Sequence, residues 1–180
     1  MRRWLFIVFL DKNKEYLYRI INIKNKKLFF VFIIFILIFN CYFSVYRVFS
    51  DSMYPFLDKG DYIISLKTNN INRGDIIVIN RENKFLIKRI IAMPGERIDI
   101  DKNGNVFINQ KYFHEGYVRN KSFNTLDIKL PYKVIDDSYF VMGDKRDSSI
   151  DSRFKSIGSI KSNEIKGKVI LKIYPFRVVK

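Results

Sequence analysis

The sequence predicts a mostly β domain that is preceded by one transmembrane helix. Three observations indicate this fold class. Residues 28–46 form a run of 19 residues without a charge. Beyond it, short β-branched and aromatic segments alternate with turn signals. Residues 50–180 contain no stretch with convincing helical periodicity.

The uncharged run 28–46 reads LFFVFIIFILIFNCYFSVY and is long enough to cross a bilayer as a helix. At 1.5 Å per residue it spans roughly 28 Å, close to the thickness of the hydrocarbon core. Residues 1–27 are basic, which predicts a cytoplasmic N-terminal segment and an extracytoplasmic domain, 47–180. The bulky residues after the run do not form a cleavage site, so we expect an uncleaved anchor. The apolar segment 4–10 has two open interpretations, an interfacial helix or a poorly ordered tail.

The remainder of the chain is predicted to be an antiparallel β domain of about 130 residues. Asn103-Gly104 is a strong hairpin signal, and Asn72-Arg73-Gly74 and Pro94-Gly95 mark further turns. The polar stretch 114–138 is expected to be a loop-rich extension. The predicted strands are 61–67, 75–80, 84–93, 96–100, 106–113, 139–143 and 168–176.

Composition excludes several kinds of site. The chain has 33 Lys and Arg against 18 Asp and Glu, a net charge of +15, which indicates either an anionic partner or a compositional bias. Nucleic acid is not an expected partner, because the domain faces outward and residues 48–180 carry only +8, which suits lipid headgroups. One Cys and one His exclude an intrachain disulfide and a His/Cys zinc cluster. Covalent chemistry would therefore depend on Ser, Thr or Lys.

Lys88 shares one face of its predicted strand with Leu86 and Ile90. Without other evidence, the simpler interpretation is an edge lysine whose ammonium group reaches solvent. The alternative is a buried lysine whose pKa is lowered by desolvation. Its neutral amine can take the proton of a serine hydroxyl and so act as a general base.

Two polar segments supply hydroxyl groups. Residues 50–55 (SDSMYP) follow the apolar run closely, and Pro55 disfavours a helix before it, so a turn is expected. Residues 143–153 (GDKRDSSIDSR) alternate acidic, basic and hydroxyl side chains. Taken alone, each segment is more typical of an ordinary solvated turn or loop.

Taken together, four motifs resemble those of the type I signal peptidases, the membrane-anchored Ser/Lys proteases that remove signal peptides from exported proteins. The segments are 50–55 (SDSMYP), 74–77 (GDII), 88–95 (KRIIAMPG) and 143–153. The family patterns are S-x-S-M-x-P, G-D-[IV]-[IV], K-R-[IV]-[IV]-x-x-P-G and G-D-N-R-x-x-S-x-D-S-R. The resemblance covers residues 28 to about 158. It implies an antiparallel β-sheet catalytic domain like that of the self-cleaving repressors, with a small cap extension at about 96–138.

The resemblance implies a role for each matched residue. Ser52 is expected to be the nucleophile and Lys88 the general base, while the Ser50 hydroxyl and the Ser52 N–H form the oxyanion hole. The other expected roles are a hydrogen bond from Ser149 that orients Lys88, an ion pair between Asp151 and Arg153, stabilisation of the loop by Asp144 and Arg146, and a shallow substrate pocket lined by Met53. No cofactor and no metal are expected.

The implied partners are the signal peptides of secreted preproteins and the lipid bilayer of a bacterial cytoplasmic membrane. Lys145, Phe56 and the spacing from Arg153 to Gly158 depart from the family pattern, but no presumed catalytic group is lost. Two alternatives stay open. One is a specialised relative that processes a pilin or conjugation substrate. The other is a non-catalytic, membrane-anchored homologue that binds export or assembly partners.

Overall fold

The computed structural model describes residues 24–82, 84–121, 126–173 and 177–179. It divides the chain into two compact units, Met1–Tyr42 and Phe43–Lys180. Most of the expected cytoplasmic segment 1–27 lies outside the described residues, and so does the apolar segment 4–10.

The described part of the first unit is one helix, α1 (Lys24–Tyr42), whose side chains are apolar and exposed from Leu28 to Ile38. The expected helix 28–46 is therefore wrong at its end, because the following residues form strand β1 (Phe43–Arg47). The backbone N–H and C=O groups of β1 form hydrogen bonds through antiparallel pairing with the next strand, and not within a helix. Hydropathy misses this boundary because no charged residue separates helix and strand. Within the described ranges, no helix is both long enough and apolar enough to span a membrane.

The second unit consists of short antiparallel strands. Their bounds are β2 (Tyr62–Leu66), β3 (Ile76–Arg81), β4 (Lys84–Ala92), β5 (Arg97–Ile100), β6 (Val106–Ile108), β7 (Lys111–Phe113), β8 (Tyr132–Lys133), β9 (Ser138–Met142), β10 (Ile160–Lys161), β11 (Ile165–Lys172) and β12 (Arg177–Val178). A 3₁₀ turn, Ser162–Glu164, precedes β11. In the described part of the chain, eight strands form one sheet in the order β1-β2-β11-β3-β4-β9-β10, with β12 paired to β11, and four form a second sheet, β7-β6-β5-β8. The prediction of a mostly antiparallel β domain is confirmed.

Two predicted turns differ in detail from the structure. The hairpin at Asn103-Gly104 is present between β5 and β6, but its loop is held by the Asp101 carboxylate, which accepts hydrogen bonds from the N–H groups of Asn103 and Asn105 at 2.8 Å. The predicted strand 106–113 is interrupted by residues 109 and 110, which both have positive φ and turn the chain between β6 and β7. A two-residue Asn-Gln turn lacks the glycine that normally signals such a hairpin.

Strand β4 is central to the packing of the second unit. From Lys88 to Ala92, five consecutive residues of β4 are buried, so both faces of this half of the strand are covered. Ile90 packs in a core cluster of the large sheet with residues of β3 and β9. Ile91 and Ala92 pack in a second cluster with residues of β5 and β6. Because β4 is rigidly placed, it can hold functional side chains at fixed positions.

Candidate active site

Lys88 lies inside the large sheet and not at its edge. β4 runs between β3 and β9, and Lys88 is paired with Ile77 of β3. The residue is only 5% exposed. The interpretation as an edge lysine that reaches solvent is therefore wrong, and the burial that the alternative requires is observed.

The amine of Lys88 contacts a hydroxyl group from a distant part of the chain. Lys88 Nζ donates a hydrogen bond to Ser52 Oγ at 2.7 Å, and Ser52 is also 5% exposed. Among the described residues, no carboxylate lies within ion-pair distance of this amine. A serine hydroxyl is thus the close polar partner of a buried lysine, which is the arrangement in which an amine can accept a hydroxyl proton.

Ser52 lies in a turn that is fixed by backbone hydrogen bonds and by a core side chain. The N–H of Tyr54 donates to the carbonyl of Asp51 at 2.9 Å, and the N–H of Phe56 donates to the carbonyl of Met53 at 2.9 Å. Met53 is 1% exposed and packs in a core cluster behind the turn. The turn predicted around Pro55 is present, and it holds the Ser52 hydroxyl against β4.

The hydroxyl of Ser50 lies next to the backbone N–H of Ser52. This N–H donates to Ser50 Oγ at 3.1 Å, so the two polar groups converge on one point. Ser50 is exposed, whereas Ser52 is buried. An oxygen atom that entered beside them could accept hydrogen bonds from both groups, which is the geometry needed where negative charge develops.

Burial lowers the pKa of the Lys88 amine from 10.5 to about 8. Desolvation is the main cause, since it disfavours the charged ammonium form. Attraction to Asp151 opposes this effect, and repulsion from Arg153 adds to it. Asp144 and Asp51 raise the pKa by smaller amounts. The result is an amine that is partly neutral near physiological pH.

The loop 143–153 is organised around a buried ion pair. The carboxylate of Asp151 accepts hydrogen bonds from Arg153 Nε at 2.8 Å and Nη2 at 2.9 Å, and also from the N–H of Gly143 at 2.9 Å. Arg153 Nη2 also donates to the carbonyls of Arg146 and Ser149. The Asp151–Arg153 ion pair expected from the resemblance is present, and it crosslinks the loop from within.

The hydrogen bond expected between Ser149 and Lys88 is absent from the structure. Ser149 Oγ is buried and has no hydrogen-bond partner among the described residues. It packs instead against Gly143, where a Cβ atom would lie 2.2 Å from Ser149 Oγ and 2.6 Å from the carbonyl oxygen of Ser52. At Gly143 the loop 143–153 therefore packs closely on the turn that carries Ser52. This packing holds Ser149 beside the Ser52 backbone, whereas the amine of Lys88 bonds to the Ser52 hydroxyl.

Asp144 pairs with a residue outside its own loop. Its carboxylate accepts hydrogen bonds from Arg89 Nε at 2.8 Å and Nη2 at 2.5 Å, and the two side chains are 1% and 5% exposed. The guanidinium of Arg89 also lies 4.2 Å from the centre of the Tyr117 ring. Desolvation raises the pKa of Asp144, against the effect of Arg89. Asp144 thus ties the loop to β4, next to Lys88.

Arg146 pairs with Glu115, which lies between β7 and β8. Arg146 Nη1 donates to Glu115 Oε2 at 2.9 Å, Nη2 donates to Oε1, and both side chains are 1% exposed. The Tyr117 hydroxyl donates to the same carboxylate at 2.8 Å, and burial raises the pKa of Tyr117, which keeps it protonated. Sequence reasoning missed Glu115 and Tyr117, since nothing local marks a partner 31 residues from Arg146.

Lys145, which departs from the family pattern, contacts the turn that carries Ser52. Its backbone N–H donates to the carbonyl of Ser52 at 3.0 Å. Its Nζ lies 2.5 Å from Asp51 Oδ2, and this ion pair is partly exposed. The loop and the turn are therefore joined by both a backbone and a side-chain contact.

A cavity of about 220 Å³ opens beside Ser52 and Lys88. Its other walls are mainly apolar, and the expected pocket residue Met53 is one of them. The remaining lining residues are Tyr46, Arg47, Val48, Phe49, Ser50, Phe85, Leu86, Ile87, Ser148 and Ile150. In the part of the chain that the structure describes, no group of three or more His, Cys, Asp or Glu is arranged to hold a metal ion.

The sequence is similar to known proteins over most of its length. A family model described as "Signal peptidase, peptidase S26" matches residues 22–174. Signal peptidase I S of Bacillus subtilis (strain 168) is 37% identical over 153 residues, which cover 78% of this chain and 82% of that protein. Signal peptidase I P of Bacillus subtilis subsp. natto is 38% identical over 146 residues, which cover 74% of this chain and 78% of that protein. A crystal structure of a signal peptidase I from Enterococcus faecalis V583 aligns with a TM-score of 0.48 and 27% identity, over 55% of this chain and 96% of that chain.

Proposed function

The chain belongs to the signal peptidase family, peptidase S26, and we propose that it removes signal peptides from exported preproteins with Ser52 as nucleophile and Lys88 as general base. The observation that carries these roles is the hydrogen bond of 2.7 Å between Lys88 Nζ and Ser52 Oγ in a buried site. A lysine in this position is useful as a base only if its amine loses a proton readily. The lowered pKa of Lys88 supports this requirement.

The reaction begins with the neutral amine of Lys88. It takes the proton of the Ser52 hydroxyl while Ser52 Oγ bonds to the carbonyl carbon of the scissile peptide. The resulting ammonium then gives this proton to the leaving amine, and an acyl-enzyme remains on Ser52. A water molecule, deprotonated by the same lysine, releases the signal peptide and restores the hydroxyl.

The oxyanion of each tetrahedral intermediate is stabilised by the Ser52 N–H and the Ser50 hydroxyl. The hydrogen bond of 3.1 Å between these groups supports this role, because it keeps both at one place before substrate enters. When the substrate oxygen arrives, it accepts hydrogen bonds from both groups in place of their mutual contact. The Asp151–Arg153, Asp144–Arg89 and Arg146–Glu115 pairs form a polar framework that supports this geometry.

The pH dependence of preprotein cleavage is expected to follow the ionisation of Lys88. Because the neutral amine is the active form, kcat/KM should rise with pH through an apparent pKa of about 8. The measurement is kcat/KM for a purified preprotein from pH 6 to about 11 in detergent. A profile that rises only near the pKa of free lysine, about 10.4, would show that Lys88 is not desolvated in the working enzyme.

Substrate selection is expected at the residue before the cleaved bond. The family resemblance implies small residues at positions −1 and −3, and the modest apolar cavity lined by Met53 supports this requirement. We expect replacement of Ala by Leu or Phe at −1 of a preprotein to lower kcat/KM by more than about 100-fold. The matched control is the same replacement at −2, because alternate side chains of an extended peptide point to opposite sides. Equal cleavage of the −1 variant and the parent would contradict the assigned pocket.

We also propose that the apolar part of α1, which begins at Leu28, anchors the enzyme in a bacterial cytoplasmic membrane, with residues 1–27 inside the cell and the β domain outside. The eleven consecutive apolar side chains from Leu28 to Ile38 are all exposed. Monomeric soluble proteins seldom expose an apolar surface of this size, whereas a lipid environment would cover it. The surplus of Lys and Arg in residues 1–27 supports the proposed orientation. We further propose that residues 96–138 form a small cap extension, which the separate second sheet, β7-β6-β5-β8, supports.

A further inference from the structure

Lys145 contacts two consecutive residues of the turn that carries the proposed nucleophile. Its N–H is bonded to the carbonyl of Ser52, and its Nζ is paired with the carboxylate of Asp51. The side chains of Lys145 and Asp51 are 35% and 57% exposed, so the pair lies at the surface of the site and not in its core. A partly exposed pair of this kind contributes little to folding stability. Because the pair lies beside Ser52, we expect it to affect the reaction more than the stability of the fold.

The charge of Asp51 is unfavourable for the proposed chemistry. Asp51 directly precedes Ser52, whose N–H faces the developing oxyanion, and two negative charges close together repel each other. The same carboxylate attracts the ammonium form of Lys88 and so raises its pKa. Both effects disfavour the first step of the reaction. A cation bonded to Asp51 offsets both.

The ionisation of the Lys145–Asp51 pair is mutually reinforced. The hydrogen bond that Lys145 Nζ donates to Asp51 Oδ2 lowers the pKa of Asp51 and raises the pKa of Lys145. Asp147 and Tyr54 also act on Lys145 and raise its pKa. Lys145 therefore stays charged through the pH range in which Lys88 titrates. Among the described residues, the charged groups with the largest effects on Lys88 besides Asp51 are Asp151, Arg153 and Asp144 of the loop 143–153.

We propose that Lys145 is a positioning residue that neutralises Asp51 beside the oxyanion hole and fixes the turn that carries Ser52. This role rests on the proposed function, because it acts through Ser52 and Lys88 and not through contact with the substrate. The backbone bond from Lys145 to Ser52 is available to any residue except proline. The ion pair to Asp51 requires a basic side chain. The two contributions can therefore be separated by substitution.

The test compares Lys145→Met with Lys145→Arg, Asp51→Asn and the double variant Asp51→Asn/Lys145→Met. Preprotein cleavage is measured against pH at low salt, and thermal unfolding of each variant is recorded. We expect Lys145→Met to lower kcat/KM about fivefold, mainly through kcat, and to shift the rising limb of the pH profile to higher pH. Lys145→Arg should keep the wild-type pH profile, because it retains a basic side chain. The double variant should return to within about twofold of wild type, because the unpaired charge is gone.

A matched control removes a lysine from an ion pair elsewhere in the domain. Lys168 lies 3.2 Å from Asp75 in a partly exposed pair, and Lys168→Met should leave kcat/KM and the pH profile unchanged. A wild-type profile for Lys145→Met would overturn the inference while the function stands. A double variant as impaired as Lys145→Met would overturn it too, because the loss would then not depend on the charge of Asp51. Absence of cleavage by the wild-type enzyme would overturn the proposed function and this inference together.

Discussion

Replacing Ser52 by alanine or Lys88 by methionine is expected to abolish preprotein cleavage while the β domain stays folded. Ser52→Ala removes the hydroxyl to which Lys88 is hydrogen-bonded, and we expect a loss of at least about 1000-fold. Lys88→Met removes the proposed base, and general acid–base catalysis contributes about 100- to 10,000-fold to enzymatic rates in general. The measurement is cleavage of a preprotein by the detergent-solubilised variants, with circular dichroism as the test of folding. Cleavage near the wild-type rate by either folded variant would rule out the dyad.

The Lys88→Met variant has a second expected property, which concerns stability. The pKa of Lys88 is about 8 in the folded protein and near 10.5 in the unfolded chain, so the unfolded chain binds more protons between these values. Below pH 8 the buried ammonium therefore destabilises the fold, on the order of 3 kcal/mol, and this cost disappears as pH rises toward 10.5. Lys88→Met should accordingly be no less stable than wild type at pH 7. Denaturant unfolding of both proteins at pH 7 and pH 10 tests the sign.

Glu115→Ala is expected to produce the largest loss of stability among the residues that sequence reasoning missed. It leaves the guanidinium of Arg146 buried without its carboxylate, and breaking one side of a buried ion pair costs about 3–5 kcal/mol. The Tyr117 hydroxyl loses the same acceptor. The free energy of unfolding is measured by denaturant titration, and cleavage should fall because the loop 143–153 loses its link to the segment before β8.

A double-mutant cycle distinguishes loss of the Arg146–Glu115 ion pair from a general loss of packing at these two positions. Arg146→Met alone and Glu115→Ala alone should each be strongly destabilising, whereas the double variant should lose much less than the sum of the two. The reason is that neither charge then remains buried without a partner. Additive losses would show that the two side chains act independently, contrary to their contact in the structure.

The strands could be inferred from sequence because they depend on local patterns, whereas the burial of Lys88 could not, because an edge strand and a central strand share the same pattern. β2, β3, β4, β5 and β9 coincide closely with predicted runs, since β-branched and aromatic residues between turn signals mark strands wherever they occur. The hydroxyl turn at 50–55 follows from Pro55 in the same way. β1 could not be inferred, because its residues continue an apolar run and only pairing with β2 distinguishes them from the helix.

The polar framework behind Lys88 was largely hidden from sequence. Asp144 and Arg146 are recognisable as members of a motif, but their partners Arg89 and Glu115 are 55 and 31 residues away. The fold decides which charged side chains pair across such separations. In an alternating run of charges, each side chain also has several possible partners nearby in the sequence. The orientation of Ser149 was missed for a related reason, because it depends on how closely the loop packs at Gly143.

Strand β4 has a consequence for how this sequence can change during evolution. A strand with one solvated face offers every second position to neutral substitution, but positions 88–92 have no solvated face. Lys88 and Arg89 are bound to Ser52 and Asp144, and the next three side chains fill two separate cores. Every substitution at positions 88–92 therefore disturbs a contact. Variation in this part of the chain should accumulate on either side of these five residues, which should change only together with their partners.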